Sequence, residues 1–219
     1  MRRAAGWTVF GLILLALILI PFFGFQAPIA AGAESFLRSR PSGWIAGPAI
    51  TLLLASDLLL PIPSSLVSTT AGLLLGLWAG ALASFTGMTL GCLAGYAIGA
   101  RAGRGVARRL VGPAELDRVA RASERFGVWM IVLFRAVPVL AEASVVFAGT
   151  IRMPMRSFLA PAALSNLGIS VAYAGVGAYS ANVASFLVAL AGAVALPAAA
   201  MLVSRWISAL PRGKDGNIR

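Results

Sequence analysis

The chain has 219 residues, of which 59% are hydrophobic and 11% charged, whereas a globular domain is about 25% charged. This composition predicts a membrane protein and excludes a soluble domain. The formal net charge of +11 does not indicate nucleic-acid binding, because the arginines cluster between apolar segments and are not interleaved with aromatic residues. Histidine is absent and Cys92 is the single cysteine, which excludes, within one chain, disulfides, a Cys/His metal site and a histidine-activated nucleophile.

The first predicted element is an N-terminal transmembrane helix over residues 1–30. Its apolar part, residues 7–25, is close to the roughly 20 residues that a spanning helix needs. A cleaved signal peptide is the alternative, because the small residues at positions 30–33 would suit a cleavage site. We adopt the uncleaved helix, since a chain with several later spans needs no leader.

The first repeat unit is predicted over residues 45–100, as a broken helical hairpin followed by one span. This apolar stretch is too long for a single span. Pro61 and Pro63 interrupt helical hydrogen bonding. Residues 45–60 and 65–78 are therefore predicted as half-length helices, with a full span over about 80–99.

Residues 101–127 are predicted to form a basic cytoplasmic loop under the positive-inside rule. Gly112 and Pro113 predict the start of a short amphipathic helix, with Glu115 and Asp117 in its first turn, where the helix dipole favours acids. We interpret the arginines of the loop mainly as topology determinants that touch lipid headgroups. They are Arg101, Arg104, Arg108, Arg109, Arg118, Arg121 and Arg125.

The second unit is predicted over residues 128–180, as a hairpin broken at Pro138 and then a span. A last transmembrane helix over 182–204 and a basic cytoplasmic tail over 205–219 follow. Both termini are then cytoplasmic, and the membrane is the inner (plasma) membrane of a cell.

An offset of 77 residues aligns the two units without gaps. It pairs Pro61 with Pro138, Ala71-Gly72 with Ala148-Gly149, Leu90-Gly91 with Leu167-Gly168, and Tyr96-Ala97 with Tyr173-Ala174. We therefore predict an all-α polytopic membrane protein with about four full transmembrane helices and two proline-broken re-entrant hairpins in an inverted repeat, an architecture of many transporters. Close helix packing is predicted at the aligned glycines, Gly72, Gly91, Gly149 and Gly168.

Three charged residues lie inside apolar sequence beside the breaks, and charge at bilayer depth is usually functional or paired. Asp57 precedes the first break, and Arg135 and Glu142 lie on either side of Pro138. They form either an ion pair that joins the hairpin tips or a site for substrate or protons. Asn166 in the second span either adds a hydrogen bond to that site or joins two helices.

These residues resemble the DedA family, the SNARE-associated Golgi protein or VTT-domain superfamily. The resemblance rests on the acid before Pro-x-Pro-Ser at Asp57–Ser64, the glycine pattern at Ala71-Gly72 and 91–99, and Phe134-Arg135 before Pro138 and Ala148-Gly149. It implies re-entrant hairpins, lipid transport and essential roles for Asp57 and Arg135. The chain departs from the family pattern at Ala141, where several members have a second arginine, and at Cys92, where an aspartate is common.

The leading prediction is a transporter or scramblase for a phosphate-bearing lipid, either a phospholipid or undecaprenyl phosphate, with a proton link as an option. One alternative is a proton-coupled transporter of small molecules or ions, and another is a membrane assembly protein without turnover. An enzyme is disfavoured, since no nucleophile has a base beside it. The expected partners are membrane lipids with anionic or phosphate headgroups, and protons. No cofactor, metal or nucleic acid is expected, and a homo-oligomer is left open.

Overall fold

The computed structural model describes residues 2–39, 41–58, 62–134 and 138–179. Within these ranges the chain is helical and has no strand, which confirms the predicted all-α class. The predicted last helix and tail, together with Pro61 and Arg135, lie outside the described residues.

Seven α-helices and one π-helical turn follow each other in the described ranges. They are α1 (Arg2–Arg38), α2 (Gly43–Ala55), α3 (Ser64–Ile98), the π-helical turn (Gly99–Gly103), α4 (Arg104–Val111), α5 (Pro113–Phe134), α6 (Pro138–Thr150) and α7 (Met155–Tyr179). The helix that begins at Pro113 is not the predicted short amphipathic helix, because it continues for 22 residues into the apolar sequence. The chain has no proline between Pro113 and Pro138 to end it earlier.

Helix α3 reverses direction at Gly76. The backbone there has φ 76° and ψ 174°, a combination that essentially only glycine adopts. A Cβ on Gly80 would lie 2.7 Å from backbone atoms of Ala71 and Gly72, although residues eight apart in a straight helix are about 12 Å apart. Residues 64–75, here called the first arm, and residues 77–98, the second arm, are therefore antiparallel.

Helix α2 and the first arm form one helical hairpin, the first hairpin. A Cβ on Gly43, at the start of α2, would lie 3.6 Å from Cδ2 of Leu75, at the end of the first arm. Helix α2 also packs on the second arm, where the Thr51 hydroxyl donates to the Ala83 carbonyl at 3.2 Å. With 13 residues in α2, each half of this hairpin is about 20 Å long, which is less than the roughly 30 Å hydrocarbon core of a bilayer.

Helices α5 and α6 form the second hairpin, which opens at the other end of the second arm. The Arg104 guanidinium lies 3.6 Å from the Asp117 carboxylate near the start of α5. The same group donates to the Thr150 carbonyl at the end of α6 at 3.5 Å. The turn after α6 is held by the Tyr96 hydroxyl, which donates to the Met153 carbonyl at 2.7 Å. Both ends of the second hairpin thus lie beside the end of the second arm remote from Gly76.

Close contacts between the two halves of the chain occur in equivalent pairs. Where a glycine of the first half contacts a residue of the second, the equivalent glycine of the second half, 77 or 78 positions later, contacts the equivalent residue of the first. A Cβ on Gly99 would overlap the Val146 carbonyl oxygen, and a Cβ on Gly177 would overlap that of Thr69. Val146 lies 77 positions after Thr69, and Gly177 lies 78 after Gly99. The contacts of Gly149 with Tyr96 and of Gly72 with Ala174 correspond in the same way. The first hairpin therefore packs on α7 much as the second packs on the second arm.

Small residues lie at close contacts between helices, and many large apolar residues face outward. Two helical stretches, Ser64–Val111 and Met155–Tyr179, are long and apolar enough to cross a membrane. Gly72, Gly80 and Ser84 are buried, whereas Trp78 is 76% exposed and Leu82 65% exposed. An outward apolar surface with small residues at helix contacts is typical of a protein that lipid surrounds.

Candidate functional site

Asp57 lies just beyond the C-terminal end of α2, immediately before the first break. Helix α2 ends at Ala55, and the Asp57 amide still reaches back to the Leu54 carbonyl at 3.4 Å. The residue is half-buried. A carboxylate in this place faces the negative end of the helix dipole, which is unfavourable. The dipole of α2 alone therefore does not explain its position.

Glu142 lies in the second turn of α6, beyond the second break, and is half-buried. Glu142 lies within electrostatic range of Asp57. The structure therefore brings together two of the three charged residues singled out in the sequence, one from each hairpin. Arg135 lies outside the described residues.

The two hairpin tips meet against Gly95 of the second arm. A Cβ at Gly95 would lie 2.9 Å from Cδ2 of Leu58 and 2.8 Å from Cγ1 of Val145. Leu58 follows Asp57 directly, and Val145 is about one helical turn after Glu142. Because a side chain at position 95 would push the tips away from the second arm, the missing Cβ allows the acids to approach each other.

Gly91 lies one turn earlier in the second arm and receives the end of α2. A Cβ at Gly91 would lie 3.1 Å from the Leu54 carbonyl oxygen and 3.2 Å from that of Ala55. Both carbonyls belong to the last turn of α2. The glycine thus sets how closely the end of α2, and with it Asp57, packs on the second arm.

The arrangement of two interacting acids suits a positively charged or protonated partner. Like charges at a site with little water repel each other, and a cation, a guanidinium or a proton between them lowers the energy.

Helix α3, the element that follows the first break, begins with Ser64 after Pro63, without a side-chain cap. The first amides of a helix have no intrahelical acceptor and can bind an anionic group. The first break thus places the Asp57 carboxylate and the first amides of α3 in one short stretch of chain.

Asn166 is fully buried and joins α7 to the second arm. Its amide donates to the Thr89 hydroxyl at 3.2 Å and to Sγ of Cys92 at 3.6 Å. Of the two roles predicted for Asn166, these bonds correspond to the joining of two helices. The sequence analysis did not single out Thr89, although the 77-residue offset pairs it with Asn166.

The predicted break and packing residues take these places. Pro63 directly precedes α3 and Pro138 is the first residue of α6, while Pro61 lies outside the described residues. The four aligned glycines are all buried. Gly72 contacts Ala174, Gly91 contacts α2 and Gly149 contacts Tyr96. Leu58, Gly95 and Thr89 contribute to the site or its support and were not predicted. Only spatial neighbours identify Leu58 and Gly95, whereas the 77-residue offset pairs Thr89 with Asn166 in the sequence.

The fold and the site define a membrane protein that is helical in its described residues, in which two helical hairpins bring acidic residues together inside apolar sequence. The family model of the VTT domain matches residues 62–179, so the chain belongs to the VTT-domain family, which includes the DedA and SNARE-associated Golgi proteins. This family is associated with membranes and with transport. No curated protein and no solved structure matches the chain.

Proposed function

We propose that the protein moves a phosphate-bearing lipid across the membrane, as a transporter or scramblase, past the tips of the two hairpins. The observation that carries this proposal is that the two hairpin tips, which bear Asp57 and Glu142, meet at Gly95 within apolar sequence. Ionisable groups at bilayer depth are costly and mark substrate or proton pathways.

Two re-entrant hairpins in opposite orientation would produce such a pathway. The hairpins open at opposite ends of the second arm, and each has a half of about 20 Å that is too short to span about 30 Å of hydrocarbon. The exchanged contacts of Gly99 and Gly177 support an inverted repeat. In such repeats the binding site lies near the midplane, where the broken helices meet.

Arg135 is the residue that we assign to the lipid phosphate. It precedes α6 by three positions, in the second break. A guanidinium stays charged and binds phosphate through two parallel hydrogen bonds. Between substrates, Asp57 and Glu142 would balance its charge.

We place the protein in the inner (plasma) membrane as a multi-pass protein with both termini in the cytoplasm. The arginines of α4 and α5 mark the cytoplasmic end under the positive-inside rule. The start of α1 lies at that end, because a Cβ on Gly6 would be 2.5 Å from the Leu110 carbonyl oxygen. We assign no enzymatic activity.

Reconstitution into liposomes tests the proposal. Vesicles would carry fluorescent phospholipid or fluorescent polyprenyl phosphate, and a membrane-impermeant reductant would report how much label it reaches. The wild-type protein should raise that fraction well above the outer-leaflet level of protein-free vesicles. The Arg135→Ala variant should abolish the gain, and the matched control Arg156→Ala, an exposed arginine at the start of α7, should retain it. Normal transport by folded Arg135→Ala protein would reject the assigned role.

A proton-coupled transporter of small molecules or ions is the second candidate, and the proximity of two acids favours it. A proton bound between Asp57 and Glu142 would relieve their repulsion and could leave with the substrate. A pH gradient imposed on the same liposomes would then drive uptake without movement of lipid label. The Glu142→Gln variant should lose that uptake. Lipid movement that is independent of the gradient would instead favour passive scrambling.

A further inference from the structure

The second arm continues beyond the thickness of a membrane. Residues 77–111 follow one helical path, because the π-helical turn keeps right-handed helical dihedrals at both of its ends. At 1.5 Å per residue this path is about 50 Å long, against about 30 Å for the hydrocarbon core. The part from Arg101 onward therefore projects into the headgroup region.

A sharp turn then folds the chain back into a compact tip. Gly112 has φ 85° and ψ 157°, and α5 begins at the next residue. Ala107 in α4 and Leu116 in α5 are fully buried, and the Arg104–Asp117 ion pair of 3.6 Å joins the two helices. We call residues 101–121 the basic tip.

The outer face of the basic tip carries positive charge. Five arginines are exposed there: Arg101, Arg108, Arg109, Arg118 and Arg121. In α4 the arginines alternate at helical spacing with Ala107 and Val111, which are buried. Of the two acids in the tip, Asp117 pairs with Arg104, and Glu115 is half-buried and lines the cavity beside Arg118. The exposed face is thus strongly cationic at the depth where lipid headgroups lie.

A cavity of about 550 Å³ opens in this face beside Gly112. It is lined by residues 111–115 together with Arg118 and Arg121. Its volume lies within the range of small-molecule sites, about 300–1,000 Å³. Arg118 and Arg121 are three residues apart in α5, so their side chains lie on one face of the helix.

We propose that the basic tip is a second lipid contact, which binds the anionic phospholipid headgroups of the leaflet that it faces. Arg118 and Arg121 hold a headgroup phosphate at the cavity, and the arginines of α4 contact neighbouring headgroups. Charge complementarity decides the partner, since an anionic leaflet is the negative surface present where the helix emerges. This contact is separate from Asp57 and Glu142, and it does not depend on transport.

Native mass spectrometry of the detergent-solubilised full chain tests this proposal by counting bound lipids. Phosphatidylglycerol would be titrated against phosphatidylcholine, and a fluorescent phosphatidylglycerol would supply affinities at two salt concentrations. The wild-type protein should bind phosphatidylglycerol preferentially and more weakly at high salt. The Arg118→Gln/Arg121→Gln variant should bind it about 30-fold more weakly, which corresponds to about 2 kcal/mol for two arginines.

Two matched variants make the test specific. Arg118→Lys/Arg121→Lys keeps the charge and should retain binding to within a few-fold. Arg152→Gln/Arg156→Gln removes the same charge from exposed positions outside the tip and should leave binding within about twofold. The proposal is overturned if the tip variant binds like the wild type, if the outside variant loses as much affinity, or if phosphatidylcholine binds equally well.

Discussion

Asn166 donates a hydrogen bond of 3.2 Å to Thr89, the residue 77 positions before it in the sequence. In a structure with two related halves, a residue meets its own counterpart only close to the axis that relates them. The bond therefore marks the centre of the packing between α7 and the second arm. The Asn166 amide donates a second hydrogen bond there, to Sγ of Cys92 at 3.6 Å. Gly91, which contacts the end of α2, and Gly95, which contacts Leu58, lie on the same arm.

The bond between Asn166 and Thr89 should couple the two helices measurably. Asn166→Ala and Thr89→Val should each lower the free energy of unfolding, and the double variant should lose less than the sum. Interhelical hydrogen bonds in membrane proteins contribute about 0.6 kcal/mol on average, up to about 1.7. A double-mutant cycle in detergent, followed by thermal unfolding, would measure the coupling. Strictly additive losses would contradict it.

The Tyr96 hydroxyl should stabilise the turn after α6. Tyr96→Phe removes its hydrogen bond to Met153 and keeps the ring against Phe158, whose centroid is 4.9 Å away. We expect a loss of about 0.5–1.5 kcal/mol in the free energy of unfolding. Tyr173→Phe is the control, since no hydrogen bond of the Tyr173 hydroxyl is seen in the described part of the chain. Equal losses in both variants would argue against the assignment.

Gly99 should not tolerate a side chain. Gly99→Ala places a methyl group on the Val146 backbone, and overpacking of this kind costs about 1–3 kcal/mol. Gly105→Ala is the matched control in α4, where a Cβ meets nothing within 4 Å. The control should gain up to about 1 kcal/mol, because alanine favours a helix over glycine. Denaturation in detergent would rank the variants, and a stable Gly99→Ala protein would refute the close approach.

Gly76 should resist substitution for a reason other than space. A Cβ there meets nothing within 4 Å, but the φ of 76° and ψ of 174° strain any other residue. We expect Gly76→Ala to cost about 1–3 kcal/mol in thermal unfolding. Gly11→Ala in α1, where the space is also open, should be neutral or stabilising. Similar behaviour of the two variants would show that the reversal at Gly76 is absent.

Removing one acid should separate a structural role from a functional one. If Glu142 serves transport, Glu142→Gln relieves its repulsion with Asp57, so the protein should be at least as stable as the wild type but fail to transport. If Glu142 belongs to a buried ion pair that joins the hairpins, the same change should cost about 3–5 kcal/mol. Thermal unfolding and the liposome assay on one protein sample would decide between the two.

The class of protein and two of the helix starts could be predicted from the sequence alone. Both follow from local properties: apolar length fixes the membrane environment, and proline removes a backbone donor wherever it stands. Hence Pro63 and Pro138 predicted the starts of α3 and α6 to within one residue. The 77-residue offset was also visible, because proline, glycine and tyrosine are infrequent enough for their alignment to be informative.

Which residues meet could not be predicted from the sequence and depends on the packing of the helices. The approach of Asp57 to Glu142, 85 positions later, depends on Gly95 having no side chain between Leu58 and Val145. The reversal of α3 lies at Gly76, one of many glycines that the sequence does not distinguish. The length of α5 was missed because hydropathy changes along it without a helix breaker. The apolar pattern of a segment indicates whether lipid or water surrounds that helix, whereas contacts between distant segments depend on how the helices pack.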